Sequence, residues 1–363
     1  MKKLLILHKA GQQDGCSHYR LNQFARKANE LGLLDVQFIN INLPEDKLAK
    51  IIESADAYLL RLSDEMVTKI YPALKKRNTN KKFVVDIDDN YDLVNPLADI
   101  YRVYGTQDVF LKESETWLWK NEHNGFYIED NKKRLKAFHD TLKSVDAVIT
   151  TTFQLRNYAL KDNEAVVVIP NAVETKNFKS FPRDSKETHI IWAGGSTHFA
   201  DLHSIKVGIK EIMERYPFVH LDMIGMDFKS ITKDLPKERT HFHPWISADG
   251  HSFRLSCIGG DIGICPLTDE EFNYYKSSIK FYEYSALGIP TVAKNISPYK
   301  DDILHGQTGL LYQTTEEFVK CLEILILDRL KAVEIGKNAL EYVKRNRELE
   351  TITRDWAEFF NSI

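Results

Sequence analysis

The chain has 363 residues, 43% of them hydrophobic and 28% charged, the composition of an ordinary globular protein long enough for two hydrophobic cores. Its 49 Lys+Arg stand against 52 Asp+Glu, a formal net charge of -3, which excludes nucleic-acid binding by bulk charge and leaves only local patches. No apolar stretch approaches the length that crosses a bilayer. The apolar run Leu4–Leu7 is too short for a signal-peptide core, and His8 and Lys9 end it. Cys16, Cys257, Cys265 and Cys321 lie far apart with no CxxC pair, so reduced thiols in a cytoplasmic protein are expected, at most peripheral at the inner membrane face.

Short apolar runs alternate with helical patterns through the first half. LLIL (4–7), VQFINI (36–41), AYLL (57–60), FVV (83–85), AVIT (147–150) and VVVIP (166–170) read as strands buried on both faces, as in a parallel sheet. Helices are expected in YRLNQFARKANELG, with Gly32 as its stop, in PEDKLAKIIES, and in SDEMVTKIYPALKKR, where Ser63, Glu65 and Met66 form a cap and first turn. Residues 91–145 break the rhythm. Their aromatics (Tyr91, Tyr101, Tyr104, Phe110, Trp117, Trp119, Phe126, Tyr127) point to helical excursions at the sheet's carboxyl edge, either a local core or an acceptor-binding lid.

NAVETKNFKSFPRDSKET (171–188) has a linker's composition. The rhythm then restarts with HIIWAGG, a long helix ADLHSIKVGIKEIMERY, HLDMIGM, THFHPWI, DIGICPL, a helix ending near Gly288, PTVA, and helical sequence from Thr315 onward, where TEEF resembles a capped start. The expected architecture is α/β, with two Rossmann-like doubly wound domains facing across a cleft. Residues 1–170 form the first domain with its insertion at about 91–145, 171–188 the linker, and 189–345 the second domain. Residues 346–363 form a helix returning to the first domain.

Open parallel sheets bind ligands beyond the carboxyl ends of their strands, and three loops there stand out. AGQQDGCSHYR (10–20) places Gly11, Gly15, Ser17, His18 and Arg20 at a helix start, without the spacing of a P-loop or a GxGxxG. IIWAGGSTHFADL (190–202) repeats the device with Gly194, Gly195 and Ser196. His18 and His198 also fit ordinary loop or packing roles. In NYYKSSIKFYEYSALGIPTVAKN, Lys276, Ser277 and Ser278 precede a helix, where hydroxyls, free N–H groups and a lysine suit a diphosphate. Lys280 and Glu283 follow at spacings that put them on one helical face with Lys276. A surface helix with internal charge pairs fits the same spacing.

These residues resemble a known family. EYSALGIPTVA followed by SPYKDDILHGQTGLLY is similar to the donor segment of the retaining group 1 (family 4-like) GT-B glycosyltransferases. VVIPNAVETKNF resembles their interdomain stretch. WAGGSTHFADL, GCSHYRLNQFARKANELG and FVVDIDDN recur in one variant of the family. The resemblance spans nearly the whole chain.

It implies a metal-independent transferase that moves a sugar, with retention, from a nucleoside-diphosphate sugar to a hydroxyl acceptor, with no cofactor beyond that donor. It places Glu283 at the second glutamate of an E-x7-E motif, on the nucleotide ribose. Tyr275 stands where the first glutamate is expected, and Lys276-Ser277-Ser278 replaces Gly-Phe-Gly. Lys276, Lys280 and the Ser277 and Ser278 amides would hold the diphosphate. Gly15, Ser17, His18 and Arg20 would close over the donor, with Gly194, Gly195 and Ser196 opening the second domain's first helix.

The acid run Asp86, Asp88, Asp89 and Asp92 has several readings. A DxD metal site belongs to the other main glycosyltransferase fold. A haloacid-dehalogenase-like phosphatase would use Asp86 and Asp88, but Asn90 replaces the expected Thr or Val. Otherwise Asp88 and Asp89 touch acceptor or sugar, or cap the following turn. Were the product inverted, Asp88 or His18 would be the candidate base.

The acceptor is open among a saccharide, a lipid-linked glycan and a modified nucleic-acid base. The basic runs Lys75-Lys76-Arg77 with Lys81-Lys82, and Lys132-Lys133-Arg134 with Lys136, suit an anionic acceptor such as DNA or a membrane-associated glycan, or a solvated face. A non-catalytic sugar-nucleotide-binding subunit is the remaining alternative.

Overall fold

All six apolar runs of the first half are strands of one sheet. They are β1 (Lys3–His8), β2 (Asp35–Asn40), β3 (Ala57–Arg61) and β4 (Lys82–Ile87), then, after an antiparallel hairpin of β5 (Val109–Leu111) and β6 (Thr116–Trp119), β7 (Ala147–Thr150) and β8 (Val166–Val168). The sheet runs β2-β1-β3-β4-β7-β8 with every pair parallel. Leu5, Ile6, Leu59, Leu60, Val84, Val85, Val148 and Ile149 are sealed off from solvent, as strands covered on both faces require.

The computed structural model describes residues 1–8, 14–40, 53–61, 70–77, 80–112, 114–181 and 186–363. Gly11, most of the helix expected at 44–54 and the Ser63 cap lie outside the described residues. The chain divides into one unit of Met1–Pro170 with Ile352–Ile363 and another of Asn171–Thr351.

In the first unit a π-helical turn, His18–Asn22, leads into the helix Gln23–Glu30, and Gly32 follows in the left-handed region at φ +64. The π turn carries Arg20 inward. Its Nε and Nη2 donate to Asp86 at the end of β4, at 2.9 and 2.7 Å, and Nη1 donates to the Ile169 carbonyl at 2.9 Å. Only 1% of Arg20 is exposed. A buried guanidinium is tolerable only with such a fork. The last helix, Leu349–Ser362, contributes Ile352 onward to this unit. Trp356, fully buried, stacks on Phe24.

The insertion differs from the expected helical excursions. It holds the β5–β6 hairpin, because VFL and TWLW alternate side chains across a ribbon rather than around a helix. The helix Ile128–Ser144 follows. Tyr91, Tyr104 and Phe138 pack together, as do Tyr101, Trp119 and Phe126, forming a local core. Its polar anchor is His139, which bonds Asp92 at 3.1 Å through Nε2 and Asp162 through Nδ1.

The second unit has β9 (Thr188–Gly194), β10 (Val219–Gly225), β11 (Thr240–Pro244), β12 (Ile262–Cys265), β13 (Thr291–Lys294) and β14 (Leu310–Tyr312) in a parallel sheet ordered β11-β10-β9-β12-β13-β14. The long helix expected over 200–216 is two helices, Phe199–Ser204 and Lys206–Arg215, broken at Ile205, whose φ of -110 and ψ of 5 leave the helical region. Thr314 caps the helix Thr315–Leu327 by accepting from the Glu317 amide. The four cysteines are free thiols. Among the described residues, no helix is long and apolar enough to cross a membrane.

Replacing Asp86 with Ala should strand the Arg20 charge and cost roughly 3–5 kcal/mol, read by urea unfolding. The double variant Arg20→Met/Asp86→Leu should recover most of it. A loss below about 1 kcal/mol for the single variant would mean that the pair carries little of this core.

His139 yields a pH test. Its bond to Asp92, set against burial, lifts its pKa to about 9. Because the folded value lies above the unfolded one, its stabilisation is complete below the ordinary histidine range and is lost as pH rises through about 9. The stability gap between the native chain and His139→Gln should therefore close between pH 6 and pH 10, and a constant gap would contradict the assignment.

Candidate functional site

In the second sheet the strand order reverses between β9 and β12, and a crevice opens beyond the carboxyl ends at such a point. β9 ends at Gly194. A side chain there would strike the Trp192 ring at 2.5 Å, whereas a Cβ at Gly195 would meet nothing within 4 Å. Gly225, ending the neighbouring β10, has φ +105 and stands so close that a Cβ would meet the Gly194 carbonyl at 2.4 Å. The backbone turns once through 196–198 before the next helix. The side chain of Ser196 lies outside what is described.

Into this turn comes a polar chain from three elements. Asp201 accepts from the Thr268 amide at 2.8 Å and the Asn273 amide group at 3.2 Å, and its other oxygen bonds His198 Nδ1 at 2.7 Å. His198 Nε2 meets the Lys280 ammonium at 2.9 Å. Since Lys280 can only donate, the imidazole accepts at Nε2 and donates from Nδ1 to Asp201, so it is neutral. Burial first, and then the Lys280 charge, lower its pKa to about 4. Burial likewise draws the Lys280 ammonium below its usual value.

The helix Ile279–Ala286 begins at this point, with Ser278 as its N-cap residue. Ser278 is fully buried, and its hydroxyl has no hydrogen-bond partner among the described residues. Ser277 accepts from the Asn171 side chain at 2.7 Å. Lys276 lies in extended backbone before the helix, its ammonium 4.4 Å from the Phe272 ring centroid.

One helical face shared by Lys276, Lys280 and Glu283 is therefore not what forms, because Lys276 precedes the helix. Nor is this a surface helix. Glu283 is 4% exposed and faces His251 Nε2 at 3.2 Å, and His251 stacks on Trp245. Although burial works against it, Glu283 raises the pKa of His251.

Site chemistry in the first unit gathers around Arg61 at the end of β3. Its guanidinium donates to Asp14 at 3.0 Å and Ser17 at 2.7 Å, and lies 3.9 Å from Asp88. Asp14 caps the turn holding Gly15 and Ser17. His18 sits edge-on to Tyr19. Arg20, expected to face a donor, is turned into the core against Asp86, and that occupies the carboxylate a phosphatase reading would need. The acid run disperses. Asp86 serves Arg20, Asp88 lies by Arg61, Asp92 serves His139, and Asn90 caps the following turn. Among the described residues these carboxylates do not converge as a metal site.

The basic runs are paired only in part. Lys132, Lys133 and Lys136 pair with Glu129, Asp130 and Asp140 along their own helix, while Lys75 and Lys82 share Asp146. Asp201, Thr268, Asn273 and His251 were not singled out by sequence reasoning, and only the THFAD pattern placed His198 near this loop.

Over 335 residues the chain is 19% identical to trehalose synthases of Thermococcus litoralis and Pyrococcus furiosus, covering 84% of this chain and 76% of theirs. Its structure matches sucrose-phosphate synthase from Thermosynechococcus elongatus with a TM-score of 0.68 at 14% identity, over 100% of this chain and 99% of that one. Anabaena HepE, solved with UDP and glucose, matches with a TM-score of 0.69 at 14% identity over 100% of both chains. The chain has the GT-B glycosyltransferase fold. No family model matches it. In this GT-B chain, the polar relay Asp201–His198–Lys280 and the cap at Ser278 occupy the carboxyl edge of the second unit's sheet.

The relay makes a titration prediction. The folded pKa of His198 lies below the unfolded value, so the unfolded chain binds the extra proton. This residue's contribution therefore falls away as pH drops from about 6.5 toward 4. Heteronuclear NMR should show His198 neutral with Nδ1 protonated down to about pH 5, and Lys280→Met should raise its midpoint. An ordinary midpoint in the native chain would break the relay.

Proposed function

We propose that the chain is a glycosyltransferase that takes a sugar from a nucleoside diphosphate and gives it to a hydroxyl acceptor. The observation that carries this is the convergence of Lys280, the Ser278 helix cap and the buried Glu283 at the strand-order reversal of the second sheet. HepE, matched along the whole chain, is described in complex with UDP and glucose, and with UDP-glucose, which supports a uridine diphosphate donor as the first to test.

In this reading Glu283, steadied by His251, hydrogen-bonds the ribose. The free amides at the start of the helix Ile279–Ala286 meet the diphosphate, and the unpartnered Ser278 hydroxyl supplies another contact. As the glycosidic bond breaks, negative charge grows on the leaving phosphate. Lys280 and Lys276 stabilise it, and the incoming anion restores the pKa of Lys280 that burial had lowered.

His198, held by Asp201, orients Lys280 and acts as a positioning residue. In this reading these groups take the place of a divalent cation at the diphosphate, and retention at the anomeric carbon is what the family resemblance implies. By the resemblance, Gly15 and Ser17 belong to donor binding and His18 and Asp88 to catalysis. The acceptor is a saccharide, lipid-linked glycan or modified base. A cytoplasmic location fits the free thiols.

The replacement of the family's first glutamate by Tyr275 favours one second reading, a subunit that binds the sugar nucleotide without transferring it. Turnover separates the two. With UDP-glucose and other sugar nucleotides, in buffer without magnesium or manganese, the chain should transfer the sugar to a hydroxyl acceptor and release the nucleoside diphosphate. NMR of the product should show the donor's anomeric configuration.

Lys280→Ala should lower kcat by roughly 10²–10³-fold, and Glu283→Ala should weaken nucleotide binding by roughly 10–100-fold. Tight binding without transfer or hydrolysis would support the second reading. A strict need for added magnesium would overturn the metal-free donor site.

A further inference from the structure

The amino ends of β9, β10 and β11 carry a second polar cluster, at the far end of the sheet from Gly194. Register sets His220 opposite His189 and Asp222 opposite His241. Because alternate residues of a strand share a face, His189, His220, Asp222, His241 and His243 all lie on one side. The rings of His189, His220 and His241 form a stack, with neighbouring centroids 4.9 and 5.3 Å apart.

Their hydrogen bonds fix which nitrogen is available. Asp222, 3% exposed, bonds His189 Nδ1 at 2.6 Å and His243 Nε2 at 2.7 Å. A carboxylate only accepts, so His189 donates from Nδ1 and its Nε2 presents a lone pair when the ring is neutral. His220 Nδ1 pairs with His241 Nε2 at 3.0 Å, which leaves His220 Nε2 to point elsewhere. Both Nε2 atoms point to the same carboxylate, that of Glu187. His189 Nε2 is 3.5 Å from Oε2 and His220 Nε2 is 3.6 Å from Oε1, and the three ligand atoms lie within 4.8 Å of one another.

We propose that Glu187, His189 and His220 bind a divalent transition-metal ion of the zinc class, with Asp222 and His241 as the outer partners that orient the two imidazoles. The two nitrogen–oxygen distances, each to a different oxygen of Glu187, are close to the edge of a tetrahedron with metal–nitrogen bonds of about 2.0–2.1 Å, which is roughly 3.3–3.4 Å. Two histidines and one carboxylate suit zinc in donor type and leave the fourth position to water. A carboxylate behind the ligating histidine, as Asp222 stands behind His189, is the usual outer support of such a site. The six residues of β9 from His189 to Gly194 span about 16 Å, so this ion takes no part in the chemistry at the diphosphate loops. It would tie the residue entering β9 to β10.

The test is calorimetric titration of the full, chelator-dialysed chain with Zn²⁺, and with Co²⁺ followed by its visible absorption. One equivalent should bind, Co²⁺ should give the intense bands of a tetrahedral site, and Zn²⁺ should raise the melting temperature. Glu187→Ala, at a half-exposed position that does not threaten folding, should weaken binding at least tenfold and remove the thermal shift. Asp222→Asn should weaken it by roughly 10–100-fold. Absence of saturable binding would overturn the proposal. So would native affinity in Glu187→Ala, which would place the ion elsewhere.

Discussion

Strands covered on both faces constrain everything else in this molecule. Their middles cannot hold an unpaired polar group, because burying one without a partner costs several kcal/mol on the order of a whole hydrogen bond or more. Polar chemistry is therefore driven to the ends of the strands. In the second unit the relay to Lys280 sits at the carboxyl edge and the histidine stack at the amino edge, with Ile190, Trp192, Met223 and Ile264 sealed between them. Where a charge does enter the interior it comes with its full complement of partners, as Arg20 does with Asp86 and the Ile169 carbonyl.

This constraint also explains what could be read from the sequence. A strand buried on both faces writes an uninterrupted apolar run, so the four inner strands of the first sheet stood out at nearly their true limits, and the edge strands β2, where Phe38 is exposed, and β8, half-buried, showed by the same apolar runs. The hairpin in the insertion did not, because its aromatics are partly exposed and serve a local core whose members come from separate segments. The break at Ile205 was equally hidden. Hydrophobic spacing continues across it, and only the backbone angles reveal two helices.

The candidate site was legible as a place more than as a mechanism. Spacing led to Lys276, Ser278, Lys280 and Glu283, but helical arithmetic could not say that Lys280 turns to His198 and Glu283 to His251. Those partners come from other loops, brought close by the sheet. Arg20 was misjudged for the converse reason: a basic residue in a glycine-rich loop looks like a ligand contact until the buried acid it serves is seen. For the histidine cluster a signal did exist. HLD at 220–222 and HFH at 241–243 place polar groups at alternate positions inside apolar strands, a pattern that asks what those groups meet on their shared face.

The first unit is discontinuous along the chain, since its closing segment, Ile352–Ile363, follows all of Asn171–Thr351. During synthesis the hydrophobic seat around Phe24 stands open until Trp356 has left the ribosome, by which time the second unit is complete. A chain made from its amino end tends to fold domain by domain, so here the domain that begins first finishes last. Loss of only the final dozen residues would then injure the earliest-made half of the protein while leaving the later-made half whole.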